Sequence, residues 1–350
     1  MRNKLKRERV RNLRDEGKAS PGEPRIELCR PTPEQPALRR YVPAEATRDP
    51  SALQKAGILD WRDDLPGKRL EDLSEVADHI LLGDSAKVLS ALPRACVSCV
   101  ITSPPYWNAV DYGYPGQLGT GSYEEYLEEL LAVWKECERV LAPNGKLCIN
   151  TPILPIPKKV MPHQHTRHLK NLCNDIEATI LHGTGLERYS LYIWQKQTTE
   201  KMFGSYPFPP NLLEQNTCEF INVFVKAGRP RVLPQAVKEP SRLTESQWMN
   251  LTRQVWSLYP ADVKRAQHPA PFPESLPNRL VAMYTFAACP EEGFPGDLVL
   301  DPFCGTGATC AAARKLSRRY LGIDLSEDFA LKAAERCAQA QPDSTVFLCP

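Results

Sequence analysis

The sequence predicts an α/β fold: a mostly parallel sheet of seven strands with helices on both faces. Three observations carry that expectation. From His79 onward, short apolar runs alternate with helix-spaced stretches, the pattern of a parallel sheet whose crossovers are helical. A glycine-rich turn, Asp301 to Gly307, stands between an apolar run and a helix-like stretch. An acid, Asp324, closes the next apolar run, about one strand–helix unit further on.

The elements follow in order. Residues 79–83 (HILLG) read as the first strand, ending at Gly83-Asp84, and Ala86 to Leu92 has helical spacing. Residues 96–102 (CVSCVIT) form a second strand that stops at Ser103-Pro104-Pro105. Residues 122–141 are the clearest amphipathic helix, with Ser122 as N-cap and Glu125 three positions on, a capping-box pattern. Asn144-Gly145 is expected to turn the chain into the strand KLCIN. Residues 189–194 and 219–225 are later strands, and 277–288 a helix. Strand 297–301, helix 307–316, strand 319–324 and helix 326–340 complete the alternation.

Composition bounds the rest. The chain has 350 residues, 25% charged and 42% hydrophobic, with a mean hydropathy of -0.40. This is a globular profile, and no apolar run is long enough to span a bilayer. Lys plus Arg number 44 against 42 acids, so no global basic field announces a polyanion. The basic start lacks the apolar centre of an export signal, so a cytoplasmic location is expected. Twelve cysteines then read as reduced thiols, and Cys96 and Cys99 as small residues packing a buried strand. The 33 prolines gather before about residue 50, between Pro152 and Pro162, and between Pro207 and Pro277. Residues 1–75 therefore read as a basic, proline-broken extension and 76–350 as the folded α/β domain that carries the motifs below. Within it, 155–185 reads as an insertion.

Two motifs carry chemistry. Asp301-Pro302-Phe303-Cys304-Gly305-Thr306-Gly307 links a strand to a helix, where glycine lets a ligand approach the backbone. Asp324, at the end of the following strand, suits a carboxylate that accepts both hydroxyl protons of a ribose. No Gly-Lys-Ser/Thr follows, so the turn is no P-loop, and it is not GxGxxG. The second motif is Ser103-Pro104-Pro105-Tyr106-Trp107. Its prolines fix the backbone and remove two N–H donors. What remains is a hydroxyl, the Pro104 carbonyl and the Tyr106 ring, which suit a planar amine. A rigid strand-ending turn with an aromatic packed beside it is the alternative.

Together these motifs resemble the DNA amino-methyltransferases, which methylate the exocyclic nitrogen of cytosine or adenine with S-adenosylmethionine. That family carries a [S/D/N]PP[Y/F/W] tetrapeptide and a DPFxGSG-like turn; Thr306 here replaces its frequent serine. Gly83-Asp84 and His268 to Asn278 also resemble family elements. The likeness spans residues 79 to about 340. RNA guanine-N2 and protein-glutamine methyltransferases place the cofactor turn first, whereas here SPPY comes first. The resemblance is to the permuted β group, and it implies a Rossmann-like methyltransferase fold with circularly permuted motif order.

The resemblance further implies Ser103, Pro104, Pro105 and Tyr106 as catalytic residues. It implies Asp84, Asp301, Phe303, Gly305, Thr306, Gly307 and Asp324 as the cofactor site, with Asp84 at the adenine; an ordinary turn role is the alternative for Asp84. Serine at 103 favours cytosine N4 over adenine N6. The resemblance implies direct attack on the methyl, and the chain agrees in having no Pro-Cys dipeptide of the kind that carries the nucleophile in cytosine-C5 methyltransferases. The base must leave the duplex, stacking on Tyr106 and Trp107. Double-stranded DNA is the expected partner, with a cognate restriction endonuclease as a further one, and a monomer or weak dimer as the state. Residues 228–268, polar and locally basic, are expected to read the DNA sequence. His163, His165 and His168 lack the spacing of a metal site, and no metal is expected. The rival from another class is a nucleic-acid-binding module with an inactive methyltransferase fold.

Overall fold

A computed structural model of the chain describes residues 25–27, 40–42, 50–62, 69–108, 110–114, 116–156, 168–196, 203–204, 206–210, 212–258 and 272–342. Among them, nine strands form one sheet. They are β1 (Ile58–Asp60), β2 (His79–Leu82), β3 (Val97–Thr102), β4 (Leu141–Thr151), β5 (Leu186–Lys196), β6 (Cys218–Lys226), β7 (Val255–Leu258), β8 (Leu298–Asp301) and β9 (Arg319–Asp324). The spatial order is β7-β5-β6-β4-β3-β8-β9-β2-β1. Only β6 runs against its neighbours β4 and β5; the other pairs are parallel.

The alternation of side chains along the central strands explains the layers. Val100, Leu147, Leu300 and Leu321 point to one face, where they pack with α2 (Ser85–Ala91), α3 (Tyr123–Val140) and α4 (Leu172–Gly183). Cys99, Ile101, Val299 and Ile80 point to the other. There they meet α1 (Pro50–Lys55), α5 (Ser275–Tyr284), α6 (Ala308–Lys315) and α7 (Glu327–Gln339). Every residue of β8 is buried, as a strand covered on both faces requires. The capping box at Ser122 and Glu125 forms as expected and starts α3.

Several expectations change. The sheet of the described residues has nine strands, not seven, because two short edge strands lie in the stretches read as the N-terminal extension and the DNA-reading segment. Leu53, Ile58 and Trp61 are buried, so the sheet fold begins before residue 76. The stretch 155–185 is only partly an insertion: it holds α4, whose Leu172, Ile176 and Ile180 lie in the core. Asn144-Gly145 makes its turn inside β4, which starts earlier than expected: Asn144 lies at φ 63°, the register with β3 breaks there, and regular pairing with β3 and β6 runs from Lys146 onward.

Direction decides which loops reach the site. The parallel strands end at one edge, and hairpins follow there: Ile153–Ile156 with His168–Asn171, and Phe203–Gly204 with Leu212–Leu213. Tyr206 and Phe208, at the tip of the second hairpin, are 70% and 73% exposed. The antiparallel β6 instead delivers residues 227–242 to the opposite edge. Arg231 pairs there with buried Asp297, just before β8, and the Ser241 hydroxyl accepts from the Ala287 N–H at 2.7 Å. The first part of the stretch 228–268 therefore faces away from the strand ends that carry the two motifs. Residues 259–268 lie outside the described residues.

Candidate active site

The two motifs, far apart in sequence, stand side by side because β3 and β8 are neighbours, with Leu300 paired to Val100. Asp301 fastens them. Its Oδ1 accepts from Thr102 Oγ1 at 2.6 Å and from the Phe303 N–H at 3.1 Å. Asp301 is 1% exposed, and burial pushes its carboxyl up to about 6. It does not line the cavity described below. Its geometry is that of a brace between the turns, not of a ligand contact.

The glycine turn is held by Asp324. One carboxylate oxygen accepts from the Gly305 N–H and the other from the Ser326 N–H, each at 2.8 Å. Burial lifts the Asp324 carboxyl to about 6 against those hydrogen bonds. Ser85, at the start of α2, donates to the Pro302 carbonyl at 2.5 Å and latches the turn from its other side. Gly307 has a different reason to be glycine. It lies at φ 75°, and a Cβ there would stand 2.9 Å from the Cα of Ala333 in α7. Gly307 thus admits α7 behind the cavity; neither it nor the buried Thr306 lines the cavity.

A cavity of about 350 Å³ opens between the motifs, the size of an ordinary small-molecule site. It is lined by Asp84, Ser103, Pro105, Phe303, Gly305 and Asp324, all named from the sequence. Other walls were not foreseen: Tyr112, Gln117 and Leu118 from the loop after the prolines, Glu129 from α3 and Phe329 from α7. That loop is tied down by the Tyr112 N–H donating to Gln117 Oε1 at 2.8 Å, and by the Gly119 N–H donating to Glu129 at 3.1 Å. Its signal was present in DYGYPGQLGTG, a run of glycines and tyrosines too long for a simple turn.

The donor set suits a nucleoside. The Asp324 carboxylate stands at the wall for hydroxyls, Asp84 for an amine, and Phe303, Phe329 and Tyr112 offer flat apolar surface. Asp84 caps α2, accepting the Lys87 N–H at 3.0 Å through one oxygen.

The proline turn is rigid from both ends. Tyr126 Oη donates to the Pro105 carbonyl at 2.8 Å. Trp107 is buried edge-on against Tyr123, with centroids 5.1 Å apart, and its indole N–H donates to Gly121 O at 3.0 Å. Trp107 is thus a structural anchor and not a stacking surface. Among the described residues, nothing donates to the Pro104 carbonyl. Tyr106 is half-buried, and its hydroxyl enters a polar cluster that sequence reading missed. Tyr106 Oη lies 2.7 Å from Ser103 Oγ and 3.4 Å from Glu219 Oε2. Asn150 Nδ2 donates to the same Glu219 oxygen at 2.5 Å, and Lys196 pairs with the other. Burial, then the Glu219 charge, raise the Tyr106 phenol well above its usual value.

Among the described residues no group of three or more His, Cys, Asp or Glu is placed to hold a metal ion. His163 and His165 lie outside those residues, and His168 starts a hairpin strand. No helix among the described residues is long and apolar enough to cross a membrane. The ten described cysteines are all free thiols.

Comparison with known proteins places this geometry. The type II methyltransferase M.XycI of Xanthomonas campestris pv. cyanopsidis is 28% identical over 276 residues, 73% of this chain and 85% of its own. M.SmaI of Serratia marcescens is 26% identical over 288 residues, 73% of this chain and 89% of its own. The structure of TTHA0409 from Thermus thermophilus, a putative DNA modification methylase complexed with S-adenosyl-L-methionine, superposes with a TM-score of 0.60. It is 32% identical, covering 75% of this chain and 94% of that one. The PvuII DNA methyltransferase (cytosine-N4-specific), at 17% identity and a TM-score of 0.54, shares the fold over 77% of this chain and 90% of its own. The sequence profile of the N6/N4 DNA methylases matches residues 97–335, from the strand before SPPY through most of the last helix. With both motifs at one cavity inside that span, the chain belongs to the N6/N4 DNA methylase family.

Proposed function

We propose that this DNA methylase transfers a methyl group from S-adenosylmethionine to the exocyclic N4 of a cytosine in duplex DNA. The observation that carries the reading is the cavity between the motifs, which has Asp84, Gly305 and Asp324 on its walls and Ser103 at its lip. The cofactor, when bound, supplies an electrophilic methyl on a sulfonium. Everything else falls to the chain's own residues. Asp324 takes the ribose hydroxyls, Asp84 the adenine amine, and the backbone near Phe303 and Gly305 the methionine end.

The cytosine amine is a poor nucleophile because its lone pair is delocalised into the ring. The Pro104 carbonyl and Ser103 Oγ accept its two N–H bonds, which favours a pyramidal nitrogen aimed into the cavity. Holding the reactants so is worth roughly 7–11 kcal/mol of the barrier. The Tyr106 ring stacks on the extruded base, offsetting part of the few kcal/mol that extrusion costs. Serine at 103, where family members acting on adenine more often have Asp or Asn, supports cytosine as the base. The SPPY strand preceding the cofactor turn in chain order supports the permuted arrangement. The DNA lies on the edge where the strands end, and its sequence is read by the paired strands there, Ile153–Ile156 with His168–Asn171 and Phe203–Gly204 with Leu212–Leu213. The type II designation of the relatives supports a restriction endonuclease acting at the same site.

The test is to incubate the protein with S-adenosylmethionine and unmethylated duplex DNA, then analyse the digested nucleosides by mass spectrometry. N4-methylcytosine is expected. N6-methyladenine would overturn the base assignment, and no methylated nucleoside from a wide sequence library would overturn the activity.

A further inference from the structure

Ser103 is the head of a hydroxyl chain that ends on a buried charge. Ser103 Oγ and Tyr106 Oη are 2.7 Å apart. Tyr106 Oη and Glu219 Oε2 are 3.4 Å apart. Glu219 is 7% exposed, and its charge is matched by Lys196 on the neighbouring strand β5. A paired carboxylate buried at a strand end is costly to place, and the packing of β5 against β6 does not require one. Amine methylation gives this cluster a task. Attack by N4 forms the N–CH3 bond, breaks the C–S bond and leaves a cationic nitrogen that must lose one proton. The Pro104 carbonyl at that nitrogen accepts a hydrogen bond but is too weak a base to keep a proton.

We infer that Glu219 is the terminal acceptor of that proton, acting through Tyr106 and Ser103. The reading rests on the amine-methylation function proposed above. In the reactive arrangement Ser103 donates to Tyr106 and Tyr106 donates to Glu219. The amine proton passes to Ser103 Oγ, the Ser103 proton to Tyr106 Oη, and the Tyr106 proton to Glu219 Oε2. The cluster ends one proton richer, with neutral Glu219 beside Lys196, and returns the proton to water after product leaves. The Tyr106 phenol resists ionisation, so it hands a proton on only as it receives one.

A second arrangement competes, in which Ser103 donates to the Asn150 carbonyl at 3.1 Å and Tyr106 donates to Ser103. The Glu219 charge selects the first by drawing the Tyr106 proton toward itself. At 3.4 Å the last link is longer than an ordinary O–H···O bond, and catalytic hydrogen bonds tighten when substrate is bound. The groups facing Glu219 among the described residues are Lys196 from β5, Asn150 from β4 and Tyr106 from the proline turn. With S-adenosylmethionine saturating at every pH, so that the Asp324 carboxyl does not enter through cofactor binding, loss of the rate's acidic limb in Glu219→Gln is the signature of the relay.

The experiment compares single-turnover methylation by the parent, Glu219→Gln, Tyr106→Phe and the double variant between pH 5 and 9. Cofactor affinity and thermal melting are measured on each. Glu219→Gln keeps the shape and removes the base. We expect its rate to fall roughly 10²–10⁴-fold, the usual contribution of a positioned proton acceptor, with cofactor affinity unchanged and the acidic limb lost. Tyr106→Phe should fall comparably, and the double variant no further than the weaker single, since one chain is cut at two places. A Glu219→Gln rate within threefold of the parent, or a reduced rate that keeps the parent's acidic limb, overturns the relay. Lys196→Met with Glu219→Gln removes the stranded cation. Recovery of the parent's rate and pH profile in that pair would show that the charges are structural and likewise overturns it. Failure of the parent itself to methylate DNA would defeat the functional reading instead.

Discussion

Replacing Asp324 by asparagine tests the cofactor end of the site. Both oxygens of the carboxylate already accept a backbone N–H, from Gly305 and from Ser326. The remaining lone pairs are what the cavity offers to a ribose. Asparagine keeps one acceptor oxygen but turns its amide donor toward one of those N–H groups, and it loses the charge. A hydrogen bond to a charged acceptor is worth about 1.5–3 kcal/mol, so S-adenosylmethionine should bind roughly tenfold to a hundredfold more weakly. The pH dependence sharpens the test. Burial lifts the Asp324 carboxyl to about 6, and bound hydroxyl donors favour its charged form. Binding then takes a proton off the carboxyl below that pH. Parent affinity should be flat above about pH 6 and fall toward tenfold per pH unit below it; the variant should lack that slope. Stability moves the other way. A carboxyl raised in the folded state stabilises the fold at low pH, and that stabilisation is lost as pH rises through about 6. Losing the charge at pH 7 therefore removes no favourable charge term. Calorimetric titration at pH 5 and 7.5 reads both effects. A variant affinity within threefold of the parent at pH 7.5, or the same slope in both proteins, would refute the reasoning.

Other substitutions probe the remaining parts. Tyr106→Ala should weaken productive base binding about tenfold to a hundredfold by removing a stacking face, leaving cofactor affinity within twofold; equal DNA affinity would contradict this. Gly307→Ala sets a Cβ 2.9 Å from Ala333 at φ 75° and should cost about 1–3 kcal/mol, read as a lowered Tm; an unchanged Tm would contradict it. Thr102→Val leaves Asp301 short of its 2.6 Å donor and should cost about 1–3 kcal/mol, loosening cofactor binding and slowing methylation together. Exchanging the segment 153–171 with a relative's should move the methylated sequence, whereas Arg231→Ala, at the far edge, should not.

Much of the site was legible because its chemistry sits on contiguous residues. SPPY and DPFCGTG each combine a strand end with backbone-restricting or backbone-freeing residues, and the alternation around them fixed their common edge. The roles inside a motif were less legible. Asp301 and Gly307 belong to the turn, yet one braces β3 and the other admits α7, and neither fact has a local signal. Trp107 follows the SPPY tetrapeptide but is buried on Tyr123, a contact made across the start of α3. Glu219, Lys196 and Asn150 come from three strands and converge only through the antiparallel pairing of β6. That reversal also sends residues 227–242 to the far edge, which composition alone could not reveal.

The central claim is that the two turns build one site for methylating an amine in DNA. Single-molecule sequencing of DNA from cells expressing the parent or Ser103→Ala tests it most directly. Cytosines modified at N4 within one short sequence are expected in the first sample, and their loss or severe depletion in the second. Unmodified DNA from the parent, or an unchanged pattern from the Ser103 variant, would contradict it.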